Sequence, residues 1–571
     1  GDTRDDVMAK EEEYGDDFNA WLKETGKQMR VGAMDRMPSF GELAAATGPP
    51  PIDEQDNPPG RRVKESFRAG CMQRGRDEEP QSRKVRRYAP RCSQAVLELY
   101  DKSFSFKITE GVEDVAIDTP SYVVKDKGSQ QLLDKTTLDS LRYEAIELWR
   151  RHERAGVTPH WISPSSVVTK DDTDEMRHIF DHREPNELQD GIRQRYETLR
   201  QLHTIARKGY KIAKMDLTKM FYSCNMAESE ARRMCFRARV RQAWLDAARG
   251  FAAARRGGTV GELDDADITW QDWAQVPEYG EDDKDADDFV ECMFNWTCIA
   301  MGMKLASPVM VSVIRQILKE LRGMGILLIH FVDDFLLVAP DSAGIDASVD
   351  KLTEYLHAFG FVVNWGKSYV KRGGHDTLVF TGIIVCMVSG RFFAQPHKVD
   401  ALQALIEEAV RRIDVGEELE ASSMLDIAKI TGRISSMNNA IWPAKLFTGG
   451  LFSVLKASTA AEYKRAVKHS PESIDELIFW ATHLAKWARL GCSMFPKNNE
   501  VDLKIVGDAG PGGLGLRYAR RPMQAVLLVG AGGERVTTEI DVTQGAAGVT
   551  EYDDAWTSSE ADVEHVEKEM R

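Results

Sequence analysis

No stretch of this 571-residue chain approaches the roughly 18 consecutive apolar residues that a membrane-spanning helix needs. Its most apolar run, from Gly325 to Pro340, is interrupted by Asp333 and Asp334, which would be costly in lipid. The N-terminus, Gly1-Asp-Thr-Arg-Asp-Asp, lacks the basic and then apolar layout of a secretory signal. The composition therefore points to an intracellular protein, cytoplasmic or nuclear, with no membrane partner. A chain that opens on Gly rather than Met is also consistent with a piece of a longer product. Eight cysteines, at 71, 92, 224, 235, 292, 298, 386 and 492, form no C-x-x-C pair, so free thiols in a reducing compartment fit better than disulfides or zinc. Positive charge is in deficit as well. Against 75 Lys and Arg stand 90 Asp and Glu, a net charge of −15, which on its face argues against a nucleic-acid partner.

What is present is enough apolar residue, 42%, for a large core spread over several domains. Residues 1–95 are punctuated by Gly48-Pro-Pro-Pro51, Asn57-Pro-Pro-Gly60 and mixed charge runs, and are expected to be an acidic, Pro-rich disordered region with an isolated helix around Glu11–Met29. The pattern then turns globular. It predicts a helix over Leu138–Glu153, two strands over Trp161–Lys170 and Met176–Asp181, and a helix from Gln194 to about Arg207. A strand over Tyr210–Met215 follows and ends on Asp216. Residues 257–291 crowd thirteen acids, Glu262 to Glu291, around few apolar positions, and predict a mobile acidic surface insertion. Beyond it come helix Pro308–Leu321, a hairpin over 326–339, helix Ala347–Phe359, and strands at 361–364, 378–385 and 391–394. Helices Val399–Ile413, Ala421–Met437 and Ile474–Leu490 close the main body, and a last unit opens at Leu503–Asp508.

Two adjacent acids at a hairpin tip are ordinarily a solvated turn. Here the flanking runs, Ile326–Ile329 and Phe335–Val338, are apolar on both faces, so the hairpin belongs to the centre of a fold and its acids to the rim of a core. Far upstream, Asp216 ends another strand. If the strands are neighbours, Asp216 and Asp333 converge, and converging carboxylates call for a divalent cation such as Mg²⁺ with its all-oxygen ligand preference. Two such ions about 3.5–4 Å apart support in-line displacement at phosphorus.

The order of motifs resembles the reverse transcriptases of retroelements, from about Pro159 to Lys398 with a looser tail. Ser163-Pro164, Lys170, Arg177 and Asp181-x-Arg183-x-x-Asn186 look like the fingers signature. Asp216 through Phe221-Tyr222 looks like the first palm motif, and Met301-Gly302 with Ser307-Pro308 like the template grip. Phe331-Val-Asp-Asp334 looks like the Y-x-D-D box, and Gly360 through Lys367-Ser368 and Phe380-Thr-Gly-Ile383 like the motifs that close the palm. Asn364-Trp-Gly-Lys-Ser368, with Thr431-Gly-Arg-Ile-Ser-Ser436 and Ile441-Trp-Pro-Ala444, looks most like DIRS-type, tyrosine-recombinase retrotransposons.

The resemblance implies an α+β, right-hand polymerase with fingers (96–205), palm (206–397), a helical thumb and connection (398–495) and a partial RNase H-like α/β domain (500–571). It implies an RNA-directed DNA polymerase that uses two Mg²⁺ or Mn²⁺ ions, an RNA template, a DNA primer and dNTPs. Asp216, Asp333 and Asp334 would be the metal-site acids, and Lys367 the lysine that protonates departing pyrophosphate. Lys170 and Arg177 would grip the triphosphate, Phe221 would exclude a 2′-hydroxyl, and Gly302 would allow close approach of template or nucleotide. Asp508 and Glu569 would be two acids of an incomplete RNase H-like site, so no RNase H activity is expected of the chain as given.

Four features depart from the pattern. Phe331 replaces a Tyr, Gly302–Pro308 is one residue longer than usual, an insertion separates the first palm motif from the grip, and Gly366 stands where Glu is common. The rival readings are a decayed or domesticated retroelement protein that binds nucleic acid without polymerising, and an RNA-copying RNA polymerase, which Phe221 disfavours. The charge balance is no obstacle. Acids concentrate in the tails and the insertion, whereas Ala231–Arg256 holds eight Arg against one Asp and Gly366–Arg412 seven Lys or Arg against four acids, which predicts a local, salt-sensitive basic channel.

Overall fold

The structure, a computed structural model, describes residues 48–49, 81–122, 124, 126–169, 176–192, 194–414, 422–455 and 460–495, together with the backbone of four strands within 504–540; at 167–169 and 176–178 only the backbone is described. The chain forms two compact units, one comprising 1–29 and 37–495 and the other 30–36 and 496–571.

In the first unit, α1 (Gln81–Tyr88), whose Val85 is fully buried, lies inside the stretch expected to be disordered, and the helix expected around Glu11–Met29 lies outside the described residues. Helix α2 (Gln94–Lys102) is capped by Ser93. Strand β1 (Ile117–Asp118) precedes α3 (Lys127–Arg142), where the Asp126 side chain accepts from the Ser129 amide and fixes the start. The expected helix over Leu138–Glu153 is therefore displaced. Glu144 takes a left-handed φ of 60°, which ends the helix, and Ile146–Leu148 forms β2 with both its apolar residues buried. Strands β3 (Trp161–Ile162), β4 (Ser165–Thr169) and β5 (Met176–Phe180) follow, with β4 and β5 forming an antiparallel hairpin. The helix expected from Gln194 shrinks to a 3₁₀ turn and one α-turn over Leu199–Ile205, because the segment before it is spent on side-chain contacts to neighbouring elements.

Strand β6 (Lys211–Asp216) leads to β7 (Cys235–Arg241), α4 (Gln242–Arg256) and, after the acidic insertion, β8 (Phe289–Trp296). A five-stranded sheet runs in the order β1-β3-β7-β8-β2, so it draws strands from both sides of residue 205. The insertion is not a free acidic surface. Asp265 pairs with Arg249, Asp267 with Arg154 and Arg256, Asp272 with Arg255, and Asp283 and Asp288 with Arg241. Asp272 is wholly buried and also accepts from the Thr269 amide and hydroxyl. The same pairs engage arginines of Ala231–Arg256, one of the two segments from which a basic channel was expected. Arg237 and Arg239 are further engaged by Asp118 and Asp134, and Arg233 by Glu230. Arg241, Arg249, Arg255 and Arg256 of the one run thus pair with five acids of the other.

Helix α5 (Ala306–Gly323) precedes β9 (Leu327–Phe331) and β10 (Asp334–Ala339), then α6 (Ser342–Ala358), capped by Asp341. The expected strand at 378–385 is two strands, β11 (Thr377–Phe380) and β12 (Ile383–Cys386), because Thr381 and Gly382 both take positive φ and turn the chain in a two-residue hairpin. Strand β13 (Arg391–Ala394) and helices α7 (Pro396–Asp414), α8 (Met424–Ser436) and α9 (Pro471–Leu490) follow, and β14 (Cys492–Ser493) returns to pair with β13. No helix among the described residues is long and apolar enough to cross a membrane, and no disulfide joins their cysteines.

A three-stranded sheet, β6-β10-β9, stands between two hydrophobic cores. On one face Ala213, Met215, Leu328, Phe335 and Leu337 join the core built with α5 and α6. On the other Ile212, Ile329, Leu336 and Val338 join the core built with β11–β13 and α7–α9. Alternate residues thus enter opposite cores, which is why these strands read as continuous apolar runs.

In the second unit, β15 (Lys504–Gly510) pairs antiparallel with β16 (Gly513–Ala519), and β17 (Ala525–Val529) with β18 (Val536–Ile540).

Candidate active site

The carboxylates meet at one end of the three-stranded sheet. The register of β6 and β10 sets Asp334 directly opposite Asp216, on the same face of the sheet. Asp333 lies in the turn between β9 and β10, and its carbonyl accepts from the Leu217 amide at 3.2 Å. The end of β6 is fastened from the other side by the Asn364–Ser368 turn. The Asn364 amide donates to the Asp216 carbonyl (2.7 Å), the Asp216 amide donates to Ser368 Oγ (3.0 Å), and that hydroxyl donates to the Asn364 carbonyl (2.7 Å). Sequence reasoning assigned only Lys367 in this motif a role. Asn364 and Ser368 do local work that their spacing, an Asn opening a turn with Ser four residues on, carries a signal for.

The acids are electrostatically crowded. Desolvation first, then Asp333 and Asp334, push the Asp216 carboxyl up to about 7, with Lys214 and Lys367 opposing. Asp333 is raised by desolvation and by Asp334, against the same two lysines. Lys214 Nζ lies 2.9 Å from Asp334 Oδ1, and both side chains are largely buried. Lys214 was missed from the sequence, although it sits two residues before Asp216 on the same strand face. The donor set is all oxygen and its members repel, which suits a hard divalent cation. Among the described residues no three acidic, His or Cys side chains form a ready cage, so cations here would complete their shells with water and substrate oxygens.

Around the acids, Phe221 is half-buried against the first core in the 3₁₀ turn Met220–Ser223. Phe331 is exposed (38%), with the Tyr196 ring 5.8 Å away, and the Tyr196 hydroxyl meets Ser307 Oγ at 2.8 Å. Tyr196 therefore places a phenolic hydroxyl near the ring that lacks one, a neighbour that sequence spacing does not reveal. Gly302 has φ 110°, and a Cβ built on it would lie 2.2 Å from the Phe180 carbonyl oxygen, so the chain's own backbone requires glycine there. The Asn186 side chain donates to the Gly302 carbonyl and accepts from the Lys304 amide. Asp181 and Arg183 pair with each other and with Tyr122, which holds the Asp181 carboxyl far below its usual range. The Asp181-x-Arg183-x-x-Asn186 signature is thus, in part, a brace between the β5 end and the loop that carries Gly302. Lys367 is exposed and near enough to Asp216 and Asp333 to lower both carboxyls. Lys170, Glu569 and the side chains of Arg177 and Asp508 lie outside the described residues; Asp508 falls on β15.

Residues 168–385 match the family model for reverse transcriptase (RNA-dependent DNA polymerase), a segment that contains all three acids, Phe221, Gly302 and Lys367. The match supports an RNA-directed DNA polymerase. No curated protein matches the chain. Among solved structures, it is similar to the foamy viral protease-reverse transcriptase dRH in complex with dsDNA, at 15% identity and a TM-score of 0.44, covering 82% of this chain and 67% of that one. It is also similar to the foamy viral protease-reverse transcriptase in complex with RNA/DNA hybrid, at 14% identity and a TM-score of 0.45, covering 77% of this chain and 50% of that one. The same viral protein in complex with dsDNA matches at 13% identity and a TM-score of 0.45, covering 81% of this chain and 80% of that one.

Proposed function

We propose that this chain is the reverse transcriptase of a retrotransposon of the DIRS type, built as a right-hand polymerase, which extends a DNA primer on an RNA template with dNTPs. The observation that carries the reading is the register that sets Asp334 opposite Asp216 with Asp333 in the adjoining turn, inside the segment that matches the family. Asp216 and Asp333 would hold the divalent cations, with Asp334 the third acid. Bound there, Mg²⁺ or Mn²⁺ would supply charge neutralisation for an in-line displacement at phosphorus. The Asn364–Ser368 turn and the Leu217 amide hold the backbones of the two ligands in place, so the acids meet substrate already oriented. In this reading Lys367 delivers a proton to pyrophosphate, Lys170 and Arg177 grip the triphosphate, and the Phe221 ring fills the place of a 2′-hydroxyl. Helices α7–α9 hold the primer-template duplex by its backbone and shape. The unit from 496 onward is the start of an RNase H-like domain carrying Asp508 and Glu569.

Primer extension by wild type and by Asp333→Asn tests the reading. Wild type should extend and Asp333→Asn should lose on the order of 100-fold or more in kcat. Equal extension by both would overturn the metal site. Absence of extension by either folded protein would favour a chain that binds nucleic acid without polymerising.

A further inference from the structure

The turn that carries Asp333 is strained. Val332 has a φ of 56°, a left-handed backbone that β-branched residues rarely adopt and that persists only where the surroundings impose it. What surrounds it is His330. Its ring is buried (2% exposed), lies 4.9 Å from the ring of Phe335, its cross-strand partner, and donates from Nε2 to the Val332 carbonyl at 2.6 Å. His330 is itself anchored. Strand β9 is an edge of its sheet, and the His330 amide donates to Glu197 Oε2 (2.9 Å), which also accepts from Arg322 (2.7 Å). Arg322 in turn donates to the Leu328 carbonyl, so two successive edge groups of β9, that carbonyl and the His330 amide, are tied through the Glu197–Arg322 pair.

We infer that His330 is a positioning residue, whose hydrogen bond to the Val332 carbonyl holds the turn in its left-handed form and so fixes Asp333 in the turn beside the end of β6 that carries Asp216. The imidazole acts through one backbone group of the turn, the Val332 carbonyl. This rests on the reading that Asp333 is a catalytic ligand, yet the geometry of the turn is measurable without catalysis.

Three variants separate the bond from the packing. His330→Phe keeps a ring against Phe335 and removes the donor, His330→Gln keeps an amide donor, and Val332→Gly makes the left-handed backbone free of steric cost. In primer extension, His330→Phe should lower kcat by on the order of 10-fold to 100-fold, with KM for dNTP changed less than about threefold, the signature of misplaced chemistry rather than lost binding. His330→Gln should recover most of that loss, and adding Val332→Gly to His330→Phe should recover it as well. In parallel, hydrogen exchange of the segment 326–339 should quicken in His330→Phe and not in His330→Gln, whether or not the protein polymerises. If His330→Phe does not fold, His330→Met fills the space without a donor and carries the same expectations. Unchanged kcat and exchange in the donorless variant, or a loss that neither His330→Gln nor Val332→Gly relieves, overturns the inference. A wild type that does not extend primers, with exchange behaving as described, leaves the positioning role standing and removes the catalytic reading instead.

Discussion

The Asp216 carboxyl, pushed up to about 7 by desolvation and its two acidic neighbours, is a cost the fold carries for the sake of the site. In an unfolded chain the same group titrates near about 4. Between those values the folded state holds a proton that the unfolded state has lost, so the contribution is fully present below about pH 4 and is lost as pH rises through about 7. Asp216→Asn removes the charge and keeps the shape. In the presence of a chelator it should melt about 2 °C higher than wild type at pH 8 and show no such gain near pH 4. Wild type should regain stability on adding Mg²⁺ at pH 8, and Asp216→Asn should not. A variant that melts below wild type at pH 8 without metal would refute the crowding. Lys214, the cation that partly relieves this crowding through Asp334, was legible in principle, since residues two apart on a strand share a face.

Among the elements, the acidic insertion shows where linear reading stops. The run Glu262–Glu291 and the arginines of α4 were each visible in the sequence, but their pairing is a tertiary fact, and it turns a supposed mobile surface and one of two supposed basic segments into one interlocked block. Arg255 holds Asp272 through two hydrogen bonds, at 2.9 and 2.8 Å, and Asp272 has no exposure. Arg255→Ala would strand that carboxylate in the interior and should cost about 3 kcal/mol in denaturant titration. Because the pair holds Asp272 below its ordinary value, the stability it contributes is present above about pH 4 and the difference should narrow as pH falls below that. A loss under about 0.5 kcal/mol would mean that water reaches the site. The β9–β10 hairpin, by contrast, was read correctly, since apolar runs on both faces around two acids admit few other placements. The helix expected over Leu138–Glu153 failed at one backbone angle, Glu144, that no periodicity encodes.

At the scale of the whole 81–495 body, one sheet belongs to two cores. Leu336 and Leu337 are neighbours in β10, both fully buried, and they face opposite cores. Leu336→Ala and Leu337→Ala should each cost about 2–5 kcal/mol. Because the sheet is common to both cores, each variant should still unfold in one transition, moved as a whole. Calorimetry that showed a split transition, with only one half shifted, would mean that the cores are separable. The net charge of −15 also reads differently at this scale. Seven of the eight arginines of 231–256 are paired with acids of the chain, and the salt dependence of nucleic-acid binding should not change when those seven are replaced in pairs with their acids.

Gly302 has a mechanical consequence. Its Cα presses against the carbonyl at the end of β5, and Asn186 stitches the residues after β5 to Gly302 and Lys304. The base of the β4–β5 hairpin is thereby welded to the loop that leads into α5. A swing of that hairpin that carried its base along would therefore have to drag the loop before α5 with it.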